Sequence, residues 1–449
     1  MNSSETGKTA GQEGLGITSL IKIYRLSEMT DAQKKTILNR SSVDIAGIKQ
    51  EILPIINDVR ARGDQAILEY LKQFDKVELT QKGLVVSKKD IDEAYKNTGA
   101  EVLEAIRKQI TLSKLFHQAQ SANVKKQWSR EIAPGVKLGQ KKTPIESVGL
   151  YVPGGTASYP TVMQILAVPA KIAGVERIVG VVSPTRKNYE VIVAAKESGV
   201  DELYRVSGVT AIAALAYGTE TIKAVDKIVG PGNKYVTAAK IEVSGDVGID
   251  MPAGPSEVLI LADKDADPVF CAADILSAAE HDPNAAGILV TWDEELAQKT
   301  QKEITRQTQF LKRQDIIKQA LARYSAIIVV KNKKEAVDFA NEFAPEHLEI
   351  MTQKPEELAK KINNAGSIFL GKWTSKALGD YATGANHVLP TARGARIFSP
   401  IGVETFMKTS QIQQVTKEGL RNLSHIMESI VKVEGLDAHW NSVKQRLRK

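Results

Sequence analysis

The chain has 449 residues, enough for two or three domains, and its 43% hydrophobic and 25% charged residues are those of an ordinary globular protein. Its 60 basic and 53 acidic residues leave a net charge of +7, but no basic run is interleaved with aromatics, so a nucleic-acid partner is not expected. Cys271 is the only cysteine, which excludes an internal disulfide and is compatible with a reducing compartment. No run is long and apolar enough to span a bilayer, and the first sixteen residues lack the apolar stretch of a signal peptide. A cytoplasmic protein with a frayed N-terminus and no membrane partner is expected.

From about residue 30 to 120 the apolar spacing is helical, as in Ile48, Ile52, Ile55, Ile56 and Val59. Then Val148-Gly-Leu-Tyr-Val reads as a strand, Thr161 to Ala173 as a helix, and Arg177-Ile-Val-Gly-Val-Val as a strand. The alternation continues through strands at Glu202, Lys227, Ser256, Gly287, Ala326, His347 and Gly366. Helices are expected at 211–217, after Asn233, at 296–310 and at 335–343. Short apolar strands alternating with helices are the pattern of parallel, helix-covered sheets, so the fold class is α/β. Beyond about Ser399 the strand signals fade, and a polar helical tail carrying Leu423, Ile426, Met427, Ile430 and Val431 is expected to dock on the main body or on a partner subunit.

Two Glu-His pairs, Glu280-His281 and Glu346-His347, use two of only six histidines and fall where the pattern changes element. Imidazole can take a proton near neutral pH or bind a metal, and a carboxylate can activate water. Adjacent side chains point apart, so each pair needs groups from elsewhere. His281 precedes the stop Asp282-Pro283, which equally suits a histidine at a helix C-terminus. No Gly-x-Gly-x-x-Gly fingerprint follows a strand, but Pro153-Gly-Gly-Thr156 and Gly230-Pro-Gly-Asn233 each lead into a helix and can turn backbone N–H groups toward phosphate. The loop Asp250-Met-Pro-Ala-Gly-Pro-Ser256 offers a hydroxyl at a sheet rim. Asp380 and His387 flank a loop of irregular backbone, and His439 lies in the tail. His281, Asp380 and His439 form one candidate N,N,O set for zinc. His117 and His425 sit in amphipathic helices and read as structural, and Cys271 as a small buried apolar group.

Together, Tyr151-Val-Pro-Gly-Gly, Gly230-Pro-Gly-Asn, Asp250-Met-Pro-Ala-Gly-Pro-Ser-Glu, Ala344-Pro-Glu-His-Leu, Gly379-Asp-Tyr and Asn386-His-Val-Leu-Pro-Thr closely resemble the histidinol dehydrogenase family in order and spacing. The resemblance implies two Rossmann-like parallel-sheet domains with small N- and C-terminal helical extensions. Its layout would be a tail and extension over 1–45, a first α/β domain from 46–149 with 256–401, a second, inserted domain over 150–255, and an extension over 402–449. This last part would reach into the active site of a second subunit, making a homodimer with shared sites.

It further implies two NAD-linked oxidations of an amino alcohol, L-histidinol, through a retained aldehyde, with zinc positioning the substrate. His347 would be the general base and Glu346 would activate water. Ser256, His281, His347, Asp380, His387, Glu434 and His439 would contact substrate. Tyr151 and Asn233 would contact NAD, and His281, Asp380 and His439 would ligate zinc.

Three positions depart from the family pattern. Ala278 stands for the glutamine expected to ligate zinc, Ser207-Gly-Val-Thr210 replaces Gly-Gly-Ala-Gln, and Thr161-Val162 interrupts a serine-rich stretch. They define an alternative, a paralogous NAD-dependent alcohol dehydrogenase with another substrate and a weakened or absent zinc site. A third reading, a binding protein without turnover, is opposed by the retained Glu346-His347 pair.

Overall fold

The structure, a computed structural model, describes residues 19–40, 45–154 and 158–448. Its contacts divide the chain into two units, Met1–Ser41 with Pro255–Ser375 and Ser42–Gly254 with Lys376–Lys449.

The first unit holds a six-stranded, all-parallel sheet in the spatial order Lys22–Arg25, Ala326–Val329, Ala286–Thr291, Glu257–Ala262, His347–Met351, Ser367–Leu370. Its central strands are continuous apolar runs because helices cover both faces. Successive side chains alternate between the two cores. Val258 and Ile260 enter the one shared with the Pro268–Ala279 helix, while Leu259 and Leu261 enter the one shared with the Lys333–Phe343 helix. Cys271 is buried in the first of these cores, and burial pushes its thiol pKa far up, so it serves as the expected apolar filler.

The second unit holds a five-stranded parallel sheet in the order Glu202–Arg205, Arg177–Val182, Ser147–Tyr151, Lys227–Val229, Gly248–Ile249. A second layer, antiparallel, is built from Met407–Val415, Val136–Pro144 and Gln127–Ala133. In both parallel sheets the first strand of the βα series is internal. The chain winds outward to one side of it and then crosses to the other. The switch points therefore lie between Glu257–Ala262 and His347–Met351, and between Ser147–Tyr151 and Lys227–Val229.

Two expectations need correction. Residues 46–149 belong with the five-stranded sheet, not the six-stranded one, because Ile48, Ile52, Ile56 and Val59 of the Ile45–Arg62 helix bury in the core of the Gly208–Tyr217 and Lys234–Val243 helices. Residues 376–401 go with them. The C-terminal extension is also not wholly helical, since the strand Met407–Val415 precedes the helices Lys417–Glu434 and Asp437–Leu447. That strand, Met-Lys-Thr-Ser-Gln-Ile-Gln-Gln-Val, is largely exposed on both faces, so no alternation marks it. The N-terminal residues of the notional tail, 1–18, lie outside the described residues.

No helix among the described residues is long and apolar enough to cross a membrane. His117 is fully buried in the Ala100–Ala122 helix, its Nδ1 donating to the Ser113 carbonyl at 2.8 Å. Burial holds its pKa below the ordinary histidine value, the hydrogen bond opposing this only in part. The unfolded chain takes up this proton near pH 6.5 and the folded chain only at lower pH, so His117 contributes stability that is present above about pH 6.5 and lost as pH falls through the folded value. We expect the thermal midpoint to fall on acidification below about pH 6.5, and less steeply in His117→Asn, by calorimetry from pH 7.5 to 5. Equal slopes would show that the histidine contributes nothing to the acid limb.

Candidate active site

Ser256 immediately precedes the strand Glu257–Ala262, and Glu346 precedes His347–Met351, its pairing neighbour in the sheet. Glu346 and His347 both lie buried there. One oxygen of Glu346 accepts from the Ser256 hydroxyl at 3.0 Å and from the Glu257 N–H at 2.8 Å. The Nδ1 of His347 lies 2.9 Å from the Glu257 carbonyl and 3.3 Å from the same Glu346 oxygen. A carbonyl can only accept, so Nδ1 carries the proton and the lone pair of the neutral ring falls on Nε2. The contacts thus hold the His347 ring in one tautomer, beside a carboxylate. The expected Ser256, Glu346 and His347 are brought together.

Their location has one unexpected aspect. Ligands of open α/β sheets gather beyond the carboxyl ends of strands at the switch point. Here the candidate side chains stand beside the switch point, but at the amino ends of its two strands. The chain reaches that rim through Ala344, a non-glycine residue in the left-handed region with φ 49°.

Sequence reasoning missed the support beneath the pair. Arg40 and Glu257 have fully buried side chains and form an ion pair at 2.5 Å. The Arg40 guanidinium also donates to the Leu38 carbonyl at 3.0 Å and lies 3.3 Å from the Phe343 ring centroid. Because the backbone N–H and C=O of Glu257 are the groups that hold Glu346 and His347, this ion pair anchors the peptide on which the site rests. The only sequence signal was a charged residue, Glu257, at the head of an apolar strand.

In the second unit a cavity of about 520 Å³ opens at the carboxyl end of the switch point. Tyr151, Asn233, Gly154, Ser207, Thr210 and Asp75 are among its walls, so both residues expected to meet NAD line one space. Tyr151 is buried, its hydroxyl accepts from the Gly208 N–H at 3.3 Å, and burial pushes its pKa up to about 12. Asn233 caps the Lys234–Val243 helix through its side-chain oxygen, which accepts from the Tyr235 and Val236 N–H groups at 3.0 and 3.1 Å. Gly230 has φ +125°, and a Cβ there would meet the Tyr151 carbonyl oxygen at 2.2 Å, so the turn tolerates only glycine. A buried ion pair of Lys240 with Asp250 fixes this turn, Lys240 donating to the Gly230 carbonyl and Asp250 accepting from the Gly230 N–H. The other expected turn runs into residues 155 and 156, outside the described residues. Tyr70 and Phe74, whose rings stack with centroids 5.6 Å apart, also border the cavity and were not foreseen.

The remaining candidates are spread over both units. His281, exposed, follows the Pro268–Ala279 helix in the first. Asp380 and His387 lie in the second, in a segment seated on its helices. Gly384, at φ +86°, packs so closely that a Cβ there would clash with Leu112 backbone at 2.5 Å, and the Asn386 amide donates to the Ile165 carbonyl at 2.8 Å. Glu434 and His439 are exposed near the junction of the last two helices.

A zinc ion needs at least three nitrogen, oxygen or sulfur donors. Among the described residues of one chain no group of three His, Cys, Asp or Glu is placed to hold a metal. A second copy lending His439 would still meet two obstacles. Ala278 is fully buried in an apolar core and offers only a methyl group. Asp380 is engaged by Lys376, a residue 2% exposed and four positions earlier on the Lys376–Tyr381 helix, whose Nζ donates to Oδ2 at 2.7 Å. The expected ligand set His281, Asp380 and His439 therefore does not fit zinc well enough to route any step through it.

The histidinol dehydrogenase family model matches residues 38–447. A histidinol dehydrogenase of Methanothermobacter thermautotrophicus is 45% identical over 429 residues, covering 95% of this chain and 100% of its own. One from Carboxydothermus hydrogenoformans is 46% identical over 403 residues, covering 89% and 94%. The crystal structure of histidinol dehydrogenase from Elizabethkingia anophelis superposes with a TM-score of 0.90 at 36% identity, covering 96% of this chain and 98% of that one.

Proposed function

The chain belongs to the histidinol dehydrogenase family, an NAD-dependent oxidoreductase family, and on that premise we propose that it oxidises L-histidinol to L-histidine in two steps through a retained aldehyde. The observation that most supports this is the His347 ring, held with its lone pair on Nε2 beside the Glu346 carboxylate. The comparisons lend nothing to the paralogous alcohol dehydrogenase.

NAD, when bound, accepts a hydride from the carbinol carbon in each of two rounds. His347 takes the hydroxyl proton as that hydride leaves, so that charge does not build up on the oxygen. The product is an aldehyde, which cannot give a second hydride until water adds to its carbonyl. Glu346 removes a proton from that water as it attacks while His347 returns its proton to the carbonyl oxygen, giving a geminal diol whose hydroxyl proton His347 again accepts as the second hydride departs. One histidinol, two NAD and one water thus give histidine, two NADH and the released protons. Tyr151 and Asn233 line the cofactor cavity, and Gly230 lets the turn pack against the Tyr151 carbonyl on its way to the helix N-terminus that Asn233 caps, where a phosphate would be favoured.

Ser256, His281, Asp380 and His387, with Glu434 and His439 from a second copy, hold the substrate on this reading. A cytoplasmic homodimer belongs to the same proposal, supported by the exposed apolar side chains Ile426, Ile430 and Val433 of the Lys417–Glu434 helix. The test is to count NADH formed per L-histidinol consumed by the purified protein. Two are expected. Release of aldehyde with one NADH would refute the four-electron reaction, and no turnover would refute the substrate.

A further inference from the structure

The misfit with zinc has a positive side, because the positive charge at Asp380 comes from the chain itself. Resting on the reading above, we infer that Lys376 is a tethered cation that does at Asp380 what a metal ion would otherwise do, so that this enzyme turns over without zinc. The two departures lie on separate elements and act in the same direction. At Ala278 a donor is lacking, and at Lys376 a cation is supplied.

Lys376 and Asp380 are one helical turn apart, so their side chains share a face, and the 2.7 Å contact is a charge-assisted hydrogen bond. A surface lysine at this spacing would swing into water and contribute little. Lys376 is 2% exposed, and an ammonium that has left water holds its carboxylate far more firmly. A dication seeking the same carboxylate would meet a fixed positive charge that cannot withdraw. Lys376 acts through Asp380, fixing the direction in which that carboxylate faces an amino alcohol. It is a positioning residue, not a catalytic one.

The decisive experiment measures zinc in the resting full-length protein. Protein from zinc-replete cells, gel-filtered without chelator, is assayed by inductively coupled plasma mass spectrometry. Histidinol oxidation is then followed before and after 1,10-phenanthroline. Less than 0.1 zinc per chain, with turnover unchanged by the chelator, is the expected result. One zinc per chain overturns the inference, whatever the substrate proves to be. Lys376→Met should raise KM for histidinol at least tenfold with kcat changed less than threefold, and Lys376→Arg should recover most of that loss. The double variant Ala278→Gln/Lys376→Glu, which restores an amide and removes the cation, should acquire zinc. If it stays metal-free while Lys376→Met binds histidinol normally, the lysine has no such role. A metal-free wild-type protein that oxidises histidinol only after zinc is added overturns the inference, whereas one that stays inactive with zinc added counts against the substrate assignment.

Discussion

Replacing His347 by glutamine should lower kcat by about 10²–10⁴-fold, the usual contribution of a positioned general base, while the chain stays folded. The expectation follows from the tautomer. The Glu257 carbonyl and the Glu346 carboxylate both face Nδ1 as acceptors, which places the basic lone pair of the ring on Nε2, the atom the proposed mechanism uses. A glutamine amide has no basic atom to offer. The residual rate should climb steadily with pH as hydroxide substitutes for the missing base. Steady-state rates between pH 6 and 10 measure this, with circular dichroism as the check on folding. A variant with full activity at pH 7 would remove His347 from the mechanism.

The second large effect is expected far from the Glu-His motif. Arg40→Met should destabilise the first unit by about 3–5 kcal/mol, since it leaves the Glu257 carboxylate charged and buried without its partner. The thermal midpoint should drop by on the order of 10 °C. The double variant Arg40→Met/Glu257→Leu removes both charges and should regain much of the loss, because the burial penalty disappears with the second charge. Below its melting temperature the single variant should also be slow, since the Glu257 peptide holds both Glu346 and His347. Thermal unfolding and kcat of the three proteins test this. A single variant as stable as the wild type would show that the ion pair is not an anchor.

The parallel sheets were legible because buried strands leave continuous apolar runs, as in Glu257-Val-Leu-Ile-Leu-Ala, and covering helices leave a regular apolar spacing. Tyr151, Asn233, Ser256, Glu346 and His347 could be singled out as candidates because each sits in a motif at the edge of an element. What stayed hidden depends on distant partners. The helix Ile45–Arg62 has the same pattern whichever sheet it covers, so its assignment to the first domain had no local signal against it. The strand Met407–Val415 is polar on both faces and is defined by hydrogen bonds to Val136–Pro144, some 270 residues earlier. Arg40 is an ordinary charge at a helix end until Glu257 is placed beside it. Lys376 was overlooked for a different reason, since Gly379-Asp-Tyr drew attention to the aspartate and away from the residue one turn before it.

Lys22–Arg25 pairs with Ala326–Val329, and Arg40 with Glu257, while Met407–Val415 closes on Val136–Pro144. During synthesis the ribosome therefore releases the first strand of one sheet hundreds of residues before its neighbour, and the last strand of the antiparallel layer only near the end. Neither unit can close early on the nascent chain. The apolar strands made in between wait with an unpaired edge, a state open to association with other chains. Proteins trimmed at residue 41 for convenience of expression would lose more than a ragged end, because that cut removes an edge strand and the buried arginine together.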